Sequence, residues 1–414
     1  MKSKKEIIEN PSGFKAVNAF IFAGSFSLGT MKAGFDLEKV LEISQTQLEE
    51  NAFFFTKNVS DVPVVLPDEW ENEEYFQELK KEDIDLMCCN CPCSSLSKIN
   101  RNASVDGKNN VHFYRLFKLF KGAQPKVFVI ENAPTLIQLG FKILKDMVSE
   151  LEPLYKFTVI RDFAGNHEVA MARQRTLVVG WRRDFFNDEV PVVEEDAHKQ
   201  KTVGDVLNDI INDTTNDLPS AEVDDISDLY KHAVPGEALL KGIASKCIKD
   251  PAFDAMIMKR LASSKHLREV ARLKTKIKSD GSAWDKTPFK LELDGRFPSL
   301  TSVNEYLHPV QDRTLSLKEV ARIMNYPDWY DFHDPDKKCK IPVTQAIAQG
   351  VPANFGKYIA MQARKALEKK LKTLSTLDTT VVFQHHSAHK LSEFTSAEFM
   401  ALSGLDLKPN AVKI

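Results

Sequence analysis

From residue 15 to residue 183, short apolar runs alternate with segments of helical character, and this alternation constrains the fold more than any other feature of the chain. Apolar runs at 16–23, 40–43, 84–89, 126–130, 157–161 and 175–181 are interleaved with helical segments at 27–33, 111–120 and 141–150. Strands separated by helices predict an α/β fold with a doubly wound, mostly parallel sheet, because crossover helices cover both faces. In such sheets ligands bind at the carboxyl ends of the strands, so the residues that follow each apolar run are the ones to read for chemistry.

The pattern breaks after residue 183. Segment 184–228 carries fourteen Asp and Glu against two Lys, whereas segment 241–278 carries eleven Lys and Arg against Asp250, Asp254 and Glu269. The net charge of −2 therefore hides two opposed regions. A basic band of that density suits a phosphate backbone, with a solvated helix face as the plainer alternative. Asp294-Gly295-Arg296-Phe297-Pro298 has the composition of a return linker. The expected organisation is a main domain begun over 1–190, a smaller, largely helical insertion over 191–300, a return over 301–370 and an extension of unassigned role over 371–414. Further helices are expected at 316–324 and 344–367, the second broken at Gly350-Val351-Pro352. His385, His386 and His389 in the extension read as a surface tail, with a metal site as the alternative.

No apolar stretch approaches the roughly 18 residues of a membrane span. Met1-Lys2-Ser3-Lys4-Lys5-Glu6 leads into no signal-peptide core, and the cysteines are not spaced as a disulfide framework. An intracellular protein with no membrane partner is expected.

Four of the six cysteines fall in Cys88-Cys89-Asn90-Cys91-Pro92-Cys93, directly after an apolar run. They read as buried strand residues, as a metal knuckle, or as a Pro-Cys turn that presents Cys93 as a nucleophile. Cys247 and Cys339 are solitary, which weakens the knuckle. Phe22-Ala23-Gly24-Ser25-Phe26 joins the first strand to the first helix, where glycine allows a cofactor close to the backbone; Glu42, ending the next strand, suits ribose hydroxyls. Glu131-Asn132 puts a carboxylate at a strand end beside Cys93, in a position to grip a ring nitrogen or to act as a helix cap. Arg173-Gln174-Arg175 opens an apolar run, and two residues of spacing in a strand put both arginines on one face.

Taken in this order, these motifs resemble the DNA cytosine-5 methyltransferase family, and the resemblance spans nearly the whole chain. Pro92-Cys93 is similar to the family's nucleophile motif, with Ser97 at its closing serine. Glu131-Asn132-Ala133 resembles its Glu-Asn-Val motif and Arg173-Gln174-Arg175 its Arg-x-Arg. The segment from Arg313 to Arg322, followed by Tyr326-Pro327, and the later Val351-Pro352 resemble its closing motifs.

The resemblance implies the S-adenosylmethionine-dependent methyltransferase form of the Rossmann-like fold, with region 191–300 as the target-recognition domain. It implies catalytic roles for four residues. Cys93 would add to carbon 6 of a flipped-out cytosine, Glu131 would hold N3 and the exocyclic amine, Arg175 would contact O2, and Arg173 would support the thiolate and phosphate side. S-adenosylmethionine would lie along Phe22, Gly24, Glu42 and Ile43, with Asp61 and Val62 near the adenine. Asn90, Pro92, Gln349 and Gly350 complete the expected cofactor site. Double-stranded DNA is the implied partner, acting on a monomer in a prokaryotic or phage-infected cell, and no metal is implied.

Several positions depart from the family's pattern. Ser25 and Phe26 stand where a glycine pair is usual, or the loop is about two residues short. Ser94 and Met171 replace glutamines, and Gln349 replaces an asparagine beside the cofactor's methionine moiety. These departures motivate an alternative donor such as carboxy-S-adenosylmethionine, giving 5-carboxymethylcytosine. A binding protein without catalysis and an RNA substrate are further alternatives. Cys91, close to Cys93, is a candidate for disulfide formation with it.

Overall fold

The computed structural model describes residues 1–97, 102–195, 200–213, 225–280, 285, 287–298, 305–375 and 381–386. His389 and much of the acidic segment lie outside these residues.

Eight strands form one sheet: β1 (Lys15–Ala19), β2 (Asp36–Leu41), β3 (Val64–Val65), β4 (Leu86–Asn90), β5 (Val127–Asn132), β6 (Tyr155–Phe163), β7 (Gln174–Arg182) and, from the C-terminal extension, the strand Val381–His385. The spatial order is Val381–His385, β6, β7, β5, β4, β1, β2, β3. The chain runs outward from β1 to β3 and then resumes at β4 on the other side of β1, so a topological switch point lies between β1 and β4. All pairings are parallel except those of β7, which runs antiparallel to both β5 and β6. This single reversal turns the loop between β6 and β7, with Arg173 at its end, onto the edge that carries the other strands' carboxyl ends.

Alternating residues of each strand enter separate cores on the two faces. Ala16, Leu86, Cys88, Val127 and Val129 pack with the helices Ser25–Lys32 and Ala353–Leu367. Val17, Met87, Cys89, Phe128 and Ile130 pack with Glu73–Lys81, Val111–Ala123 and Phe141–Leu151. Cys88 and Cys89 thus point to opposite faces, which removes the four-cysteine knuckle. Phe120 stacks on Phe128 with centroids 4.0 Å apart. At Gly29 the helix Ser25–Lys32 meets Ala353–Leu367 so closely that a Cβ would lie 2.4 Å from the Lys357 backbone nitrogen.

A third apolar cluster joins the helices Leu239–Lys249, Pro251–Arg260 and His266–Asp280 through Leu240, Ile243, Ile257, Val270 and Leu273. Two short strands, Glu189–Pro191 and Thr373–Ser375, pair antiparallel, and Phe289–Lys290 pairs parallel with Tyr306–Leu307.

The surface-tail expectation fails at His386. The strand Val381–His385 covers the β6 edge, where hydrophobic Val381 and Val382 are buried. His386 Nδ1 lies 3.2 Å from Asp162 Oδ2, while His167 Nε2 lies 3.0 Å from Asp162 Oδ1. These two partners outweigh the desolvation of Asp162 and push its pKa down to about 2. The tail is held because an unpaired edge and a buried carboxylate both need partners.

Candidate active site

At the switch point the carboxyl ends of β4 and β5 lie side by side, with Asn90 in register with Glu131. Asn90 Nδ2 donates to Glu131 Oε2 at 2.9 Å, and Arg175 Nε sits 2.5 Å from Glu131 Oε1. Both ionic groups are buried, so each needs the other: an isolated buried charge costs several kcal/mol. Asn132 Nδ2 donates to the Cys91 carbonyl at 2.9 Å, fixing the turn that delivers Pro92 and Cys93. Cys93 is half-buried and lines a cavity of about 1090 Å³ together with Pro92, Arg173 and Arg175.

Arg173 Nη1 donates to the carbonyls of Gly350 at 2.7 Å and Ala348 at 3.3 Å, tying the β7 entry to the end of the helix Val343–Gln349. Burial first, and then the adjacent Arg175, push its pKa down to about 9, which leaves it cationic at neutral pH. Beyond Cys93 the chain is pinned by Ser104 N donating to Ser95 O at 2.8 Å and Asn109 Nδ2 to Ser94 Oγ at 2.5 Å. Asn109 thus supplies an amide beside the turn that carries Cys93.

The same cavity extends to Phe22, Ile43 and Gln349. Gly24 caps the helix in the left-handed region at φ 91°, and Ser25 and Phe26 are already helical. Glu42 ends the β2 run, buried; its Oε1 accepts from Ile43 N at 2.7 Å, while Oε2 has no hydrogen-bond partner among the described residues. Burial raises its pKa to about 7. An orphaned carboxylate oxygen beside a cavity of this size fits a ribose hydroxyl donor, so the residues present suit an S-adenosyl cofactor.

Cys93, Arg173, Arg175, Phe22, Ile43, Pro92 and Gln349 all line this cavity; Glu42 and Gly350 are chain neighbours of lining residues and Glu131 pairs with Arg175, whereas Gly24 and Asn90 are not among the lining residues. Asp61 and Val62 do not line it either. They precede β3, at its amino end, where exposed Asp61 accepts from Lys4 N at 2.6 Å and Val62 is packed in the core. The carboxyl end of β3 is Val65, whose carbonyl accepts from Glu42 N at 2.9 Å. The Asn90 side chain donates to Glu131, so its backbone is what remains for a ligand.

Cys91 is buried in the apolar cluster with Leu96 and Phe113, and desolvation holds its thiol well above the usual range. It does not line the cavity that Cys93 lines. Sequence reading missed Arg161, Gln47, His112 and Arg115, which all do. Arg115 lies over the Trp70 ring and donates to the Ile43 carbonyl, and burial with Arg115 nearby pushes His112 down to about 4.

The family model for C-5 cytosine-specific DNA methylases matches residues 14–365. The chain is 26% identical over 385 residues to the type II methyltransferase M.XorII of Xanthomonas oryzae pv. oryzae, covering 86% of this chain and 85% of that protein. It is 23% identical over 389 residues to the type II methyltransferase M.FnuDI of Fusobacterium nucleatum, covering 89% and 99%. In structure it is similar to a putative DNA modification methyltransferase encoded within an E. coli prophage, with a TM-score of 0.53 at 17% identity, covering 86% of this chain and 99% of the other. No helix among the described residues is long and apolar enough to cross a membrane. With the family model spanning most of the chain and the fold alike, this methyltransferase belongs to the C-5 cytosine-specific DNA methylases.

Proposed function

We propose that the chain methylates carbon 5 of a flipped-out cytosine in double-stranded DNA through a covalent Cys93 adduct. The observation that carries this reading is convergence: Cys93, Arg173 and Arg175 line one cavity together with Phe22 and Ile43, with Glu131 paired to Arg175 and the orphaned Glu42 next to Ile43 in the chain. S-adenosylmethionine, when bound, supplies an electrophilic methyl group.

Cytosine carbon 5 is a weak nucleophile until the ring is saturated at carbon 6. The Cys93 thiolate forms a bond to carbon 6, and the electron pair of the 5,6 double bond moves to carbon 5. Glu131 faces N3 and the exocyclic amine, where charge develops, and Arg175 faces O2. Carbon 5 takes the methyl group, then loses its proton to a base; the returning electron pair expels Cys93 as thiolate. Arg173 keeps a positive charge beside the sulfur in both steps. A base inside a duplex cannot reach this pocket, so extrusion of the nucleotide is required.

The helices between 239 and 280 carry the basic band, with Lys249, Lys259, Arg260, Lys265, Arg268 and Lys278 exposed. We assign 191–300 to target recognition on this basis, within a main domain made of 1–190 and 301–370. The type II naming of the relatives supports a role in bacterial restriction and modification. Duplex DNA treated with the purified chain and S-adenosylmethionine, digested and read by nucleoside mass spectrometry, tests the reading. It predicts 5-methylcytosine with the native chain and none with Cys93→Ala; product from Cys93→Ala contradicts it.

A further inference from the structure

One wall of the cavity carries a directional chain of side-chain amides. Gln47 Nε2 donates to Glu50 Oε2 at 2.8 Å, and Asn51 Nδ2 donates to Gln47 Oε1 at 3.3 Å and to Gln349 Oε1 at 2.5 Å. A carboxylate only accepts, and an amide has one accepting and one donating end, so Glu50 sets the polarity of the whole chain. It draws the Gln47 nitrogen toward itself and leaves the Gln47 oxygen for Asn51. Asn51 in turn occupies the Gln349 oxygen, which leaves the Gln349 nitrogen as the free end.

The backbone explains how these groups reach one wall. Leu48–Ala52 is a π-helical turn, a rare form associated with functional sites, and it sets fully buried Asn51 behind Gln47 and Gln349, both of which line the cavity. Gln349 is gripped from the opposite side as well, since Arg173 holds the carbonyls of its two chain neighbours. Its position is thereby fixed from the base side and its amide orientation from the cofactor side.

We infer that Asn51, oriented by Gln47 and Glu50, is a positioning residue that aims the Gln349 amide N–H group at a carboxylate of the bound S-adenosyl donor. The inference rests on the proposed function, which places that donor in this cavity. An N–H donor beside the cationic Arg173 selects an anionic acceptor. The carboxylate has two sources: the amino-acid end of S-adenosylmethionine, or the transferred group of a carboxylated donor.

Calorimetric titration of the full chain separates them, with four probes in two pairs: S-adenosylhomocysteine against its analogue lacking the amino-acid carboxylate, and carboxy-S-adenosylmethionine against S-adenosylmethionine. The native chain is expected to favour the carboxylate-bearing member of one pair by roughly tenfold or more, and the pair that shows the preference identifies the source. Asn51→Asp, whose side chain only accepts, turns the Gln349 amide over and brings that preference to within about twofold. Glu50→Gln, on a partly exposed residue, removes the anchor of the chain and weakens the same preference with less risk to folding. Binding of the probes with no preference, or a preference unchanged in both variants, overturns the inference alone. Failure of the native chain to bind any of the four compounds overturns it together with the proposed function.

Discussion

The two halves of the cavity are finished to different degrees. On the base side the ionic groups already hold one another: Glu131 has Asn90 and Arg175, and Arg173 has two carbonyls. On the cofactor side two buried oxygens, Glu42 Oε2 and Asn51 Oδ1, have no hydrogen-bond partner among the described residues. A buried polar atom left unpaired costs about 1–3 kcal/mol, and on the base side Arg173 Nε is also without a hydrogen-bond partner among the described residues, so the contrast is between ionic groups that hold one another and lone acceptor oxygens that do not. The cofactor half is a receptor with open valences; the base half is preorganised for charge that develops only during reaction.

The largest effect is expected where the base half is broken. Arg175→Ala leaves Glu131 buried with Asn90 as its side-chain hydrogen-bond partner and should destabilise the fold by about 3–5 kcal/mol, read by chemical denaturation. Single-turnover transfer should fall by roughly 10²–10⁴. Equal loss from Glu42→Gln, on the cofactor side, would erase the distinction between the halves.

The cofactor half should show itself through pH. The Glu42 pKa is raised from 4.5 to about 7 in the folded chain, so the native state keeps a proton that the unfolded state has released. By the linkage relation, its contribution favours the fold below about pH 4.5 and is lost as pH rises through about 7, amounting to at most about 3 kcal/mol. Glu42→Gln stays neutral and should remove that slope when stability is compared at pH 5 and pH 8. It should also weaken S-adenosylhomocysteine binding by roughly tenfold, because a carboxylate acceptor is lost.

Ligand alone gives a slightly smaller signal. S-adenosylhomocysteine at one hundred times its Kd should add about 2.7 kcal/mol to the stability of the native chain, measured by denaturant midpoint. The smallest effect belongs to Cys91→Ala, which removes a sulfur from the apolar cluster. It should cost about 1 kcal/mol and leave turnover within about threefold, measured in the same assay.

The base half was legible in the sequence because its residues follow long, fully buried strands. Ile84 to Cys89 and Val127 to Ile130 fix where β4 and β5 end, and Cys93 and Glu131 follow within a few residues. β3 is only two residues of intermediate burial, too short to announce its end, and Asp61 was misplaced to the wrong side of it. Gln47 and Asn51 stand at ordinary helical spacing, but the partner Gln349 lies 298 residues from Asn51, and no local pattern encodes that contact. Arg161, alone at the end of an apolar run, reads like any solvated strand terminus. His386 depends on a strand paired with β6, more than two hundred residues earlier, and no local pattern encodes that contact.

The central claim is that Cys93 bonds to the base. Duplex DNA containing 5-fluorocytosine blocks loss of the carbon 5 substituent, so an adduct formed by Cys93 is trapped after transfer. With S-adenosylmethionine, the native chain should give a denaturation-resistant complex whose peptide mass map places the nucleotide on Cys93, and Cys93→Ala should give none. A complex formed by Cys93→Ala, or a nucleotide mapped to another residue, would contradict the account.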